Sequence, residues 1–211
     1  EEVFRATGPA AGSIVRVKIG ATTEGRITAM EGELAMDAGA YKGSPVATGA
    51  MCMFAPYKCP NQRTVARDVV TNKAKTAAYR APGGPQAHLG AECVVSEVAA
   101  ELGMDPIDFR LLNAVEEGDT AFYGARFKAI GLKECLRSAK AHPNYGQRLT
   151  ADQGRGVAVG FWFNFGMQSS ATINVHSSGK VTIITGSPDI GGSRASMVLM
   201  AAETLGIEPR D

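Results

Sequence analysis

The chain has 211 residues, of which 45% are hydrophobic, enough to bury a core in one large domain or two small ones. Lys+Arg of 22 against Asp+Glu of 21 leaves a formal net charge of +1, so no basic stripe marks a nucleic-acid surface. No apolar run approaches the roughly 18 to 20 residues of a membrane span, and no charged-then-apolar leader is visible at the start.

The first residues, "EEVFRATGP", contain no Met and read as cut from a longer chain. Residues 13–20, "SIVRVKIG", alternate apolar and polar with β-branched side chains, and 26–35 do so more loosely. With "ATTEGR" between them they predict a β-hairpin. Residues 38–62 are rich in Gly, Pro and Ala without a clear period and predict a long surface or cofactor-side loop. Residues 63–72 predict another strand. The period then changes. Ala91, Val94, Val95, Val98 and Leu102 share one helical face of residues 85–102, leaving Glu92, Ser96 and Glu97 off it, the two glutamates as solvated or capping charges. Glu92 is also near enough to the preceding loop to orient it.

Gly103 is placed to close that helix. Asp105-Pro106 opens a second, short helix to about residue 113, and a third is expected at 131–140. Strands are expected at 155–165, 169–177 and 180–185, then a final helix at 193–205. That helix is apolar nearly all round and is expected to be buried. The order ββ…β, ααα, βββ, α predicts an α+β fold with mixed or antiparallel sheets packed with a few helices.

Two junctions share one design. "APGGPQ" (81–86) precedes the long helix, and "DIGGS" (189–193) precedes the last one. Helix N-termini carry free N–H groups and partial positive charge, and adjacent glycines let an anionic group approach the backbone. Either turn could cradle a phosphate; taken singly, each is more often an ordinary turn. The pair favours one elongated anionic ligand. Neither follows GxGxxG or GxxxxGKS, so neither implies ordinary nucleotide binding. Arg80 suits a phosphate or carboxylate, or equally the loop's own carbonyls. Ser193 could cap its helix, and Asp189 is placed as a turn residue. His88, His142 and His176 lie in separate elements and form no shared motif. "FWFNF" (161–165) predicts a buried strand. Cys52, Cys59, Cys93 and Cys135 form no CxxC pair and predict reduced cytosolic thiols, with no iron–sulfur cluster held by this chain.

The turn and the helix behind it carry more together than apart. "AYRAPGGPQAHLGAECVVSEVAAELGMDPIDFRLLN" (78–113) resembles the molybdopterin-binding subunit of the xanthine dehydrogenase and aldehyde oxidase family. The shared features are Tyr79, Arg80, Gly83, Gly84, Pro85, Gln86, Glu92, "SEVA", "LGMDP", Arg110 and Asn113. "EEGD" (116–119), "GLKECL" (131–136) and "VTIITGSPDIGGSRASMVLMAAETLGI" (181–207) extend the likeness over the whole chain.

The resemblance implies a molybdenum hydroxylase acting on an activated C–H with water. Its substrates would be aldehydes, N-heterocycles or aromatic acyl thioesters. The implied cofactor is molybdopterin, in its cytosine dinucleotide form, carrying molybdenum on its own dithiolene with no protein ligand to the metal. Electrons would pass to 2Fe-2S and FAD centres on partner subunits or domains of a cytoplasmic complex. By position, Arg80, Gly83, Gly84, Ile190, Gly191 and Gly192 fall at the cofactor. Ala81 and Pro82 fall at the substrate pocket, where relatives carry a copper-binding cysteine or a stacking aromatic. Gly191 replaces a pterin-contacting Gln. Residues 1–150 would belong to a first molybdopterin-binding subdomain and 151–211 to a second, both incomplete. The family's "GGFGGK"-type loop and its catalytic glutamate, a general base, would lie before residue 1 and after residue 211. The expected protein is a central fragment, inactive alone, marginally stable or self-associating, or else a non-catalytic module of the same fold.

Overall fold

A computed structural model describes residues 1–163 and 168–210, except the side chains of Val3 and Phe4. It divides into two compact units, Glu1–Phe163 and Asn164–Asp211.

The first unit begins with a short helix α1 (Glu2–Ala6), followed by strands β1 (Ser13–Ala21) and β2 (Ile27–Gly39). β1 and β2 pair antiparallel from Ser13↔Met36 to Ala21↔Ile27, as the alternation predicts. Along β2 the inward residues Met30, Leu34, Met36 and Ala38 are buried, while Glu31, Glu33 and Asp37 lie between them, half-buried. That two-residue period gives the sheet its core side.

Residues 38–62 differ from the expected loop. β2 runs on to Gly39, and an eight-residue helix α2 (Val46–Met53) follows, with Cys52, Met53, Phe54, Ala55 and Tyr57 buried at and beyond its end. α2 crosses to β3 (Gln62–Val70), which pairs parallel to β2. A parallel neighbour needs such a crossover, and a helix is the usual way to make it.

Three further helices complete this unit: α3 (Gly84–Glu101), α4 (Pro106–Asn113) and α5 (Leu132–Ala141). The face α3 buries is Ala87, Ala91, Val95 and Ala99, a stripe at intervals of four. These small side chains let it lie close to β1: a Cβ at Gly90 would sit 2.4 Å from Val15 Cγ1. Gly103 and Met104 donate back to Ala100 and Ala99 and close the helix, as expected for that position. Asp105 caps α4 by accepting from Ile107 N and Asp108 N at 2.9 and 3.0 Å.

The second unit holds strands β4 (Ala171–Val175) and β5 (Val181–Thr185), paired antiparallel, and helix α6 (Ser193–Leu205). The chain is therefore α+β, with one mixed and one antiparallel sheet. The expectation that α6 is buried is not met within this unit. Ala202 is its one buried residue among those described, and Val198, Leu199, Met200 and Leu205 are exposed. A two-stranded ribbon is too small to cover a helix that is apolar on every side. No described helix is long and apolar enough to cross a membrane.

Candidate functional site

The turn before α3 is built by close backbone packing. Ala81 has φ +55, a left-handed conformation that costs an L-residue about 1–2 kcal/mol. Gly83, at φ +82, precedes the first helical residue. Both Gly83 and Gly84 are buried. A Cβ on Gly83 would lie 2.2 Å from Pro45 O and 2.9 Å from Gly49 N. The glycine is thus required by the start of α2, which occupies the space a side chain would need. Thr48 of α2 adds a hydroxyl donor shared between Pro45 O (2.9 Å) and Pro82 O (2.5 Å). Gly84 faces another way: a Cβ there would be 3.5 Å from Trp162 Cε3 and 3.8 Å from Ala81 Cβ. The indole therefore covers the turn.

Around this turn, Arg80 is exposed, and Ala81 and Pro82 are half-buried. Gln86 is the third residue of α3. Its Oε1 is buried and has no hydrogen-bond partner among the described residues. A buried orphan acceptor beside a glycine turn is a feature that a polar ligand would satisfy. The groups present fit a pterin-like molecule, which is rich in donors and carries a phosphate.

Behind the turn lies a network that the sequence pattern does not reveal. Glu92 is buried, not solvated. Its Oε1 accepts from Tyr57 Oη at 2.5 Å, and its Oε2 accepts from Arg110 Nε at 3.0 Å and from Val159 N at 2.8 Å. Arg110 is fully buried and spends its remaining donors on Ser96 Oγ and Pro106 O. Burial and the adjacent carboxylate push the Tyr57 phenol well above its ordinary range, so it stays protonated and donates. Asn113 bonds Ile27 N and Gly25 O, tying α4 to the β1–β2 turn. Arg110 and Asn113 are thus structural members of the matched segment. The one sequence signal for this network is the pairing of an acidic and a basic residue inside two apolar helices.

The expected strand at 155–165 is only partly within view, since residues 164 and 165 lie outside the described residues. Over 155–163 it forms no sheet ladder. Instead the amides of Val159 and Phe161 donate to side chains of α3, Glu92 and His88, at 2.8 and 3.0 Å. "FWF" is half-exposed rather than a buried strand core, with Trp162 stacked on Phe163 at a centroid distance of 4.6 Å.

The turn before α6 has the same glycines and different surroundings. Gly191 and Gly192 have φ +111 and +90, and a Cβ on Gly192 would meet nothing within 4 Å. Ser193 does not cap the helix with its own oxygen. Asp189 Oδ1 accepts from Gly191 N, Ser193 N and Ser193 Oγ at 2.9, 3.1 and 3.1 Å. Those bonds, that from the Gly191 amide first, hold its carboxyl below the usual range. The helix start therefore already carries an anion from its own chain. Ile190 is exposed beside it. Of the three histidines, His88 lies on α3 one turn past the first glycine pair, His142 ends α5, and His176 bonds Thr182 within the β4–β5 ribbon.

Residues 1–114 match one molybdopterin cofactor-binding domain family and residues 128–211 match a second of the same description. The chain is 30% identical over 208 residues to an aldehyde oxidoreductase of Megalodesulfovibrio gigas, covering 90% of this chain and 23% of that protein. It is 41% identical over 128 residues to the nicotinate dehydrogenase large molybdopterin subunit of Eubacterium barkeri, covering 58% of this chain and 30% of that one. Among solved structures, the aldehyde oxidoreductase of Desulfovibrio desulfuricans superimposes with a TM-score of 0.75 at 30% identity, over 96% of this chain and 24% of its own. The chain thus spans about a quarter of the length of these relatives.

Proposed function

Because the chain belongs to the molybdopterin cofactor-binding family of the xanthine dehydrogenases and aldehyde oxidases, we propose that it helps hold the pterin of a molybdenum hydroxylase. The observation that carries this reading is the turn at 80–86. It is pinned by α2, faced by an indole, and has a buried Gln86 oxygen with no donor to accept from among the described residues. Arg80 would engage a phosphate or the pterin edge, and the Gly83-Gly84 turn would set the backbone against it. Ile190, Gly191 and Gly192 would form the second contact. Residues 1–150 would serve a first subdomain and 151–211 a second.

Bound, the cofactor in its cytosine dinucleotide form would supply the molybdenum redox chemistry that hydroxylates an activated C–H with water. This chain's residues would bind and orient. Ala81 and Pro82 would border the substrate, and Trp162 would give that border an aromatic face, suited to a flat aldehyde, N-heterocycle or aromatic acyl thioester. The general base, a glutamate in this family, would come from outside these 211 residues. So would the 2Fe-2S and FAD centres, in a cytoplasmic complex. The chain alone would be inactive, and its exposed apolar helix α6 would favour self-association.

The test is molybdenum and pterin content of the full-length protein, with and without Arg80→Ala. We expect both to be bound and the variant to lose about tenfold in occupancy, the scale of removing one charged ligand contact. A full-length protein that never carries pterin overturns the reading. It would favour the alternative, a non-catalytic module of the same fold, which the self-capped Asp189 turn also supports.

A further inference from the structure

One element of the first unit is held in an unusual way. The segment carrying Trp162 has no strand partner among the described residues, so neither a ladder nor a hairpin turn sets its register. What holds it is α3. Val159 N donates to Glu92 Oε2 at 2.8 Å, and Phe161 N donates to His88 Nε2 at 3.0 Å in the tautomer that carries its proton on Nδ1; in the other tautomer Nε2 donates to Phe161 O at 3.1 Å instead. His88 and Glu92 are four residues apart, an advance of about 6 Å along a helix. Two residues of extended chain advance about 6.7 Å. Alternate amides therefore meet successive helical turns, and a slip of one residue would point both amides away from their acceptors.

Glu92 is itself clamped by Tyr57 and Arg110, and because His88 Nδ1 is buried without a partner among the described residues, the ring's polar contact is the one Nε2 makes to Phe161. The next residue along, Trp162, lays its indole against Gly84, where an added Cβ would be 3.5 Å from Trp162 Cε3.

We propose that His88 and Glu92 are positioning residues: a two-point clamp on the backbone of 159–161 that sets where the Trp162 indole stands against the 81–84 turn. The functional weight of that indole rests on the reading given above, in which the turn borders cofactor and substrate. The clamp itself does not.

Trp162 is the one tryptophan among these 211 residues, so in the full-length protein, with any tryptophan outside them replaced by phenylalanine, its emission reports its position directly. In His88→Leu, which removes the acceptor for Phe161 N, acrylamide quenching of Trp162 should rise about twofold and emission should shift to the red, as local opening exposes the ring. Far-UV circular dichroism should be unchanged. His88→Gln, whose amide oxygen reaches nearly as far, should restore both values, a rescue that loss of packing alone would not give. Unchanged quenching in a folded His88→Leu overturns the proposal. Should that variant fail to fold, hydrogen exchange in the unaltered chain decides. Slow exchange at Val159 and Phe161, with fast exchange at Ala158 and Gly160, upholds the clamp, and uniformly fast exchange overturns it. These readouts need no cofactor, so they stand or fall separately from the hydroxylase reading.

Discussion

The turns at 81–84 and 189–192 look alike as sequence and differ as physics. Both put two glycines at the start of a helix. In the first, Gly83 is pressed against Pro45 and Gly49 at the start of α2, and Gln86 Oε1 has no hydrogen-bond partner among the described residues. In the second, the space beside Gly192 is open and the amides are taken by Asp189. A glycine pair before a helix thus has two meanings. It can be the only residue that fits a crowded joint, or the only one that makes an exposed left-handed bend without strain. The first kind gives a turn fixed by its packing. The second fills its own charge requirement.

Substitutions separate the two. The largest effect is expected at Glu92, which supports the first turn from behind. Glu92→Ala strands the buried Arg110 and should cost about 3–5 kcal/mol, read by urea denaturation followed through Trp162. Next is the contrast between the glycines. Gly83→Ala drives a methyl into Pro45 O and should cost about 3 kcal/mol or more, whereas Gly192→Ala bears only backbone strain of about 1 kcal/mol. Equal costs would erase the distinction. Asp189→Ala should cost about 1 kcal/mol as a lost cap, seen as faster hydrogen exchange in the first turn of α6.

The smallest effect is acid sensitivity, and it belongs to the first unit. Asp37 is held down to about 2 by hydrogen bonds from Thr71, Gly39 N and Lys73, and Glu116 to about 2 by Lys133 and Lys58. Their folded pKa values lie below the unfolded ones. The stability they contribute is present above about pH 4 and is lost as pH falls through 2. Asp37→Asn should flatten that part of a stability-against-pH curve.

Much of the fold was legible because it follows short periods. The β1–β2 hairpin, α3, α4, α5 and the β4–β5 ribbon each announce themselves by alternation, by a helical stripe or by a capping residue such as Asp105. What escaped depends on neighbours distant in sequence. α2 hides in a Gly- and Pro-rich stretch because its helicity is supplied by packing on β2 and α3. Glu92 sits one position beside the apolar stripe, and its burial is made tolerable by partners far along the chain, Tyr57, Arg110 and the amide of Val159. The 155–163 segment has a strand's composition, yet its amides go to side chains of a helix. α6 has the composition of a buried helix but not the cover. At the candidate site, Arg80, Gly83 and Gly84 were visible from the turn itself. Gln86 and Trp162 acquire meaning only once α2 and the 159–161 backbone are in place.

The contact between Gly83 and Gly49 has a consequence for how such a protein can change over time. A Cβ at Gly49 would lie 2.8 Å from Gly83 O, and one at Gly83 would lie 2.9 Å from Gly49 N. Neither site can enlarge unless the two helix starts move apart, and parting them would release Pro82 O from Thr48 and tilt the turn that bears Arg80. Positions 49 and 83 should therefore drift as a linked pair, staying small together. Where a relative carries a larger residue at one, the turn at the other should be found reshaped.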